Sequence, residues 1–171
     1  ITNIFGNDMF ASNAVSQIFG LVITIFSAGI YFTALKIIRH EEANFGLVTS
    51  GFARAVPLII AYIVMVIAVV LGVILFVIPG VIVALGLSQW LFIIMDKEEL
   101  GGVEALKASW EMMKGYKLKY FGFVLALALI NIVGLVALVI GLLATIPVTF
   151  YATAAFYDRV LALNGPAKQI V

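Results

Sequence analysis

Residues 55–80 read AVPLIIAYIVMVIAVVLGVILFVIPG and carry no charged side chain. As an α-helix the part from Ala55 to Ile78 rises about 1.5 Å per residue, which is enough to cross a hydrocarbon core of about 30 Å. Proline lacks an amide donor and glycine tolerates left-handed backbone, so Pro79-Gly80 reads as a tight turn at the far interface. Upstream, residues 14–38 form an apolar run interrupted by Ser16, Gln17, Thr24, Ser27, Thr33 and Lys36, ending in Arg39-His40-Glu41-Glu42. Downstream, residues 81–95 form a short run closed by Asp96-Lys97-Glu98-Glu99, and residues 120–145 a long uncharged one. Ile146-Pro147 then reads as a second far-side turn. The last run, residues 148–163, is shorter and wetter, with Thr149, Tyr151, Thr153, Tyr157, Asp158 and Arg159.

Composition agrees with this reading. The chain of 171 residues is 64% hydrophobic and 11% charged, with a mean hydropathy of +1.22. A soluble domain carries about 25% charged residues. The expected fold is therefore all-α, a single polytopic transmembrane bundle over residues 1–171 with five spans and no separate soluble domain. Cysteine is absent, which removes disulfides, thiolate chemistry and Cys-based metal sites. The net charge is +1, from 10 basic and 9 acidic residues, and that balance argues against a nucleic-acid partner.

Placement of charge orients the bundle. Every Lys and Arg lies within residues 36–54, 96–119 or 158–171, whereas the turns at 79–80 and 146–147 have none. Under the positive-inside rule the three basic stretches are cytoplasmic, the amino end is outside and the carboxyl end inside. Residues 1–15 lack the basic n-region of a signal peptide, so an outside amino end points to a further helix upstream and about six spans in the complete protein. The setting expected is a bacterial inner membrane.

Both cytoplasmic connectors have helical periodicity. Phe45, Val48 and Phe52 recur along one face in the first, residues 42–53. In the second, residues 98–115, Val103, Leu106, Trp110 and Met113 line one face, beside a polar stripe of Glu104, Lys107, Glu111 and Lys114. Such segments are expected to lie in the headgroup plane, apolar side down. The order of charged helix end, amphipathic connector, long uncharged helix and Ile-Pro occurs twice, from about residue 21 to 80 and from 81 to 148, as a parallel duplication would produce.

Several polar residues are candidates for function. Asn131 is an amide in the middle of the fourth run and needs a hydrogen-bond partner on another helix. Gly134, Ala137, Gly141 and Ala144 continue its stripe and permit close helix packing, with Ala61, Ala68 and Gly72 on the second helix as the opposing seam. The alternative role for Asn131 and Thr145 is to line a solute path, which Ser88 and Gln89 in the third run could share, with Trp90 filling volume beside them. No carboxylate or lysine lies in a span core, which weakens proton-coupled transport. His40-Glu41-Glu42 offers adjacent rather than convergent metal ligands, and Ser109 has no neighbouring histidine base. No catalytic residue, metal or cofactor is expected. Trp110, Lys114, Tyr116, Lys117, Lys119 and Tyr120 form a basic and aromatic belt suited to lipid headgroups.

The stretch from Phe76 to Tyr120 carries a resemblance. Ile78-Pro79-Gly80, Asp96 at a helix end, Ala105-Leu106-x-x-Ser109 and Gly115 six residues on resemble a group of bacterial inner-membrane proteins. That group includes the YciC-like proteins and the membrane domain attached to some glycerophosphodiester phosphodiesterases, and the likeness covers roughly residues 30–163. The resemblance implies a membrane-embedded accessory module, with Pro79-Gly80 shaping the outside turn and Ser109 capping or packing the connector against Asp96. Phosphodiesterase activity belongs to a soluble barrel that is absent here and does not carry over. The expected function is non-enzymatic, a scaffold or accessory subunit whose partners are membrane lipids and other membrane subunits or copies of itself. A small-solute transporter or channel is the second reading, and a lipid-binding module using Lys114, Lys117 and Lys119 the third.

Overall fold

The computed structural model describes residues 2–136 and 140–164, with side chains described at 15, 16, 19–135 and 141–164. Seven α-helices and one 3-10 helix run in the order α1 (Thr2–Ile38), the 3-10 segment (Phe45–Arg54), α2 (Ala55–Leu75), α3 (Val77–Leu87), α4 (Trp90–Asp96), α5 (Gly102–Met112), α6 (Lys117–Val136) and α7 (Ile140–Asn164). No strand occurs among the described residues. Four stretches are long and apolar enough to cross a membrane, Phe19–Ile38, Phe45–Leu75, Val77–Asp96 and Lys117–Leu135. The wetter α7 is not among them.

Helix α1 already begins at Thr2, upstream of the apolar run that starts at residue 14. It stops at a left-handed residue. His40 has φ 57°, the Glu41 N–H reaches the Lys36 carbonyl at 2.9 Å and the His40 N–H reaches that of Ile37 at 3.1 Å. These two bonds satisfy carbonyls that the helix end would otherwise leave open. The chain then folds back as a 3-10 segment packed on α1, with Phe45 and Phe52 of its expected apolar face left exposed. The approach is close because two glycines allow it: a Cβ on Gly29 would fall 2.0 Å from the Val48 carbonyl oxygen, and one on Gly51 would fall 2.1 Å from that of Ile25.

The first far-side reversal is at Phe76, not at Pro79-Gly80. Phe76 is extended (φ −168°, ψ 150°) between α2 and α3, and Pro79-Gly80 lies in the first turn of α3. There Pro79 loses no helical hydrogen bond. Gly80 instead lets α3 close on α2, since an added Cβ would meet Val73 Cγ2 at 2.4 Å and the Val73 nitrogen at 2.9 Å. The third run is likewise divided, with α3 ending at Leu87 and α4 starting at Trp90.

The second reversal also precedes its proline. Residues 140–164 are one helix with Pro147 inside it, so Ile146-Pro147 is not a turn and the run 120–145 is not one helix. Helix α6 ends at Val136 and α7 begins at Ile140, Gly141 lies against Gly134, and residues 137–139, Ala137 among them, lie outside the described residues. Membrane helices tolerate an internal proline because neighbouring helices and Ser or Thr hydroxyls compensate the freed backbone groups.

The core gathers near the charged ends of the helices. Leu35, Leu58, Trp90, Phe92, Ile94, Met95, Leu106, Met112 and Tyr157 are buried there. Helix α5 is part of it, with Gly102, Ala105, Leu106, Ala108, Ser109 and Met112 all buried; of the face expected to rest on lipid, Leu106 and Met113 are covered by protein, while Val103 stays 37% exposed. By contrast the α2–α3 tip is bare, with Ile74, Phe76 and Ile78 each 72–75% exposed. An apolar surface of that extent is stable against acyl chains, not water.

Candidate functional site

The polar centre of the fold is the break between α3 and α4. Helix α3 ends at Leu87, leaving the Gly86 carbonyl and the Gln89 N–H without helical partners. Ser109 on α5 supplies both: its hydroxyl donates to the Gly86 carbonyl at 3.0 Å and accepts from the Gln89 N–H at 3.1 Å. Ser109 and Gln89 are both fully buried. A hydroxyl is suited to this position because it donates and accepts at one atom. Ser88 donates to the Leu85 carbonyl at 2.9 Å and accepts from Gln89 Nε2 at 3.1 Å. Gln89 Oε1 is buried without a partner, and the Tyr120 hydroxyl lies beside Ser88 and Gln89.

Small residues make this centre possible. A Cβ on Gly86 would stand 2.4 Å from Trp110 Cε3, so the indole lies directly on the α3 backbone. Lys117 lies over the same ring with Nζ 3.1 Å from its centroid, a cation–π arrangement. Ala105 and Leu106, on the same helix as Ser109, are buried in the core. Gly115, at φ 82°, makes the left-handed turn that leads from α5 into α6.

A second constellation joins the ends of α1 and α4 to the second half of α7. The Arg39 guanidinium pairs with both oxygens of Asp96, through Nη1 and, at 3.2 Å, Nη2. Its Nε donates to Asp158 at 2.7 Å, and the Tyr157 hydroxyl donates to Asp96 at 3.0 Å. Side-chain exposure is 24% for Arg39 and 13% for Asp96. Burial works against the Arg39 charge, but the hydrogen bonds and charges of Asp96 and Asp158 outweigh it and raise the guanidinium above its usual value. Asp96 is thus not packed against Ser109, as the motif had suggested; Arg39 and Tyr157 hold it. Close by, Arg54 donates to the carbonyls of Lys97, Glu98 and Leu100 and binds down the loop before α5.

Asn131 has found its partner on α7. Its Nδ2 donates to Thr149 Oγ1 and to the Leu127 carbonyl, both at 2.9 Å. Gly134 faces Gly141 and Thr145 across the same contact. The opposing seam expected on the second helix is not used this way: Gly72 meets Gly80 of α3 and Ala61 meets Gly102 of α5. Each long helix packs most closely on the one that follows the reversal.

The basic belt is largely engaged. Lys114 pairs with Glu111 at 2.6 Å, Lys117 caps Trp110, and Lys119 lies 5.3 Å from the Tyr116 ring centroid. Of the cluster after α1, Glu41 is tied to Lys36. Among the described residues no group of three or more His, Cys, Asp and Glu side chains converges on one point.

Two adjoining grooves of about 240 and 300 Å³ run between α1, the 3-10 segment and α7, sharing Thr33, Ile37, Val48 and Tyr151. Neither touches Ser88, Gln89 or Asn131. Charges at the ends of apolar runs advertised Arg39, Asp96 and Asp158 one by one, but nothing local in the sequence joins them. Arg54 is equally silent, because its acceptors are backbone carbonyls.

No curated protein and no solved structure matches the chain. Over residues 4–164, a stretch that contains the Ser109 staple, the Arg39 cluster and the Asn131 contact, the chain belongs to the family described as "Protein of unknown function (DUF975)".

Proposed function

We propose that this protein is a non-enzymatic scaffold or accessory subunit of a bacterial inner membrane, with the basic helix ends cytoplasmic and α7 serving as a fifth span. The observation that carries this reading is the use of the intramembrane polar side chains. Ser88 and Ser109 bond the broken α3–α4 helix, and Asn131 bonds Thr149. Ser88 and Asn131, two of the groups that a solute path would need, are thereby engaged by the protein itself, and the other two, Gln89 and Thr145, each keep a buried oxygen without a partner. The described grooves run elsewhere and are lined mainly by apolar side chains. Kinship with the YciC-like proteins and the phosphodiesterase-linked membrane domain belongs to the same proposal and supports an accessory role.

The deciding experiment is gentle extraction from the native membrane followed by native mass spectrometry, with solute flux measured in proteoliposomes in parallel. Stable co-extraction of another subunit, or a defined oligomer, is the expected result. A lone protomer that moves solute into vesicles would establish the carrier reading instead.

Lipid handling is a second reading, favoured by one feature. Lys117 and Lys119 are held on aromatic rings, and no carboxylate pairs with either among the described ion pairs. Cations placed so at a membrane surface attract anionic headgroups by about 1 kcal/mol each. Loss of copurifying anionic lipid in K117Q/K119Q would support it; unchanged lipid content would remove it.

A further inference from the structure

We infer that α7 is hinged at Pro147, so that its first two turns have a second position relative to α6 that changes the width of the groove beside α1. Pro147 has no N–H to give the Leu143 carbonyl, which interrupts the hydrogen-bond ladder at the eighth residue of a 25-residue helix. The two parts of the helix are held differently. Beyond Pro147, Phe150 lies 4.9 Å from the Tyr31 ring, Tyr157 stacks on Phe92 at 5.0 Å, and Phe156 stacks on Phe123 at 5.0 Å. Asp158 pairs with Arg39, and Asn164 Nδ2 donates to the Met112 carbonyl at 3.3 Å. Before Pro147, the close contacts are with the end of α6, Gly141 on Gly134 and Thr145 on Gly134. The end of α6 is itself tied to the held part of α7 through Asn131 and Thr149, so the first two turns of α7 shift relative to α6.

A second, independent observation lies at the same level. Thr149 and Thr153 each donate to the carbonyl four residues back, at 2.8 and 2.7 Å, the usual resting place of a hydroxyl in a membrane helix. The Thr145 hydroxyl is buried with no partner among the described residues. It is wedged instead against Gly134, where an added Cβ would stand 2.7 Å from Thr145 Oγ1. An orphaned hydroxyl in an apolar surrounding is unfavourable, and a small displacement of this end relative to α6 lets it reach a backbone carbonyl. The groove sits at the hinge itself, with Ile146 and Pro147 on one wall and Ile30 and Ala34 on the other. Movement about Pro147 opens or narrows it. This conclusion stands whether or not the protein is a scaffold.

The absence of cysteine allows clean pairwise nitroxide labelling of the full chain in lipid nanodiscs, read by pulsed electron–electron resonance. Lys107→Cys on α5 paired with Leu143→Cys spans the hinge, and Lys107→Cys paired with Leu163→Cys stays on one side of it. The distance distribution for the first pair is expected to be roughly twice as broad as for the second, because a proline kink is a site of bending. In P147A it should contract to the breadth of the second pair. Equal breadth for the two pairs in the native background overturns the inference, whether or not P147A folds. So does a broad first pair that P147A leaves unchanged. Thr145→Val keeps the side-chain shape but removes the hydroxyl, and is expected to deplete one of the two positions; an unaltered distribution overturns the part assigned to Thr145.

Discussion

Arg39 grips Asp96 across 57 positions of chain, and the pair welds the end of α1 to the end of α4. Because Asp158 and Tyr157 join the same cluster, one guanidinium organises three helices. Removing it leaves two carboxylates facing each other in a partly buried site. R39A is therefore expected to cost about 1–3 kcal/mol, more than D158N, whose carboxylate is 37% exposed. Thermal unfolding in detergent checks this. R39A/D96A should be less damaging than the sum of the single changes, since in the double variant only the more exposed Asp158 is left without its partner.

Ser109 is expected to be less replaceable than its size suggests. S109A leaves the Gly86 carbonyl and the Gln89 N–H buried without partners, at a cost of about 1–3 kcal/mol. Hydrogen exchange gives a sharper readout than stability alone. The Gln89 amide should lose protection in S109A, while amides in the middle of α2 keep theirs. Equal protection of Gln89 in both proteins would mean that the break is held by something other than this hydroxyl.

His40 occupies the left-handed position at which helices most often place glycine. A non-glycine residue there is strained by roughly 1–2 kcal/mol, whereas glycine adds chain entropy to the unfolded state, of roughly 0.5–1 kcal/mol. The balance favours H40G by about 0.5 kcal/mol, visible as a small rise in melting temperature. A fall would show that the imidazole makes a contribution beyond its backbone.

The all-helical class and the membrane-length apolar stretches were legible from residues 55–80 and their counterparts, because hydrocarbon selects for length and the absence of charge, both of which are local properties. Pro79 and Pro147 misled for one physical reason. A proline forbids one amide bond; it does not specify where a chain reverses. The reversals at Phe76 and between α6 and α7 follow from glycine contacts made across space, Gly72 on Gly80 and Gly134 on Gly141. Likewise the periodicity of α5 disclosed an apolar face but not its cover, and both lipid and protein satisfy the same pattern. Ser109 could be singled out in the sequence, yet its partners, Gly86 and Gln89, became apparent only with the break in α3–α4.

The Asn131–Thr149 contact tests how much a polar pair contributes inside an apolar bundle. Asn131 also donates to its own helix at Leu127, so T149V leaves the amide one partner, and N131L removes the amide entirely. Measured couplings between membrane helices average about 0.6 kcal/mol and reach about 1.7. A double-mutant cycle of N131L and T149V, read by unfolding in mixed micelles, is expected to fall in that range. A coupling indistinguishable from zero would assign the α6–α7 contact to Gly134, Gly141 and the Phe123–Phe156 stack, and G134L should then loosen the far end of the pair where N131L does not.

Sidedness is the prediction with the widest consequences, because the distribution of basic residues determines which face meets cytoplasmic partners. Lys107 is exposed on α5, and Ile78, 72% exposed, lies at the opposite end of the α2–α3 hairpin. In the cysteine-free chain, Lys107→Cys and Ile78→Cys can each be treated with a membrane-impermeant maleimide, in spheroplasts and in inverted vesicles. Lys107→Cys is expected to react only in inverted vesicles, and Ile78→Cys only in spheroplasts. Reaction of both from one side would place the hairpin tip and α5 in the same compartment. In that event α2 and α3 enter and leave the same leaflet, and the assignment of a cytoplasmic docking face fails with them.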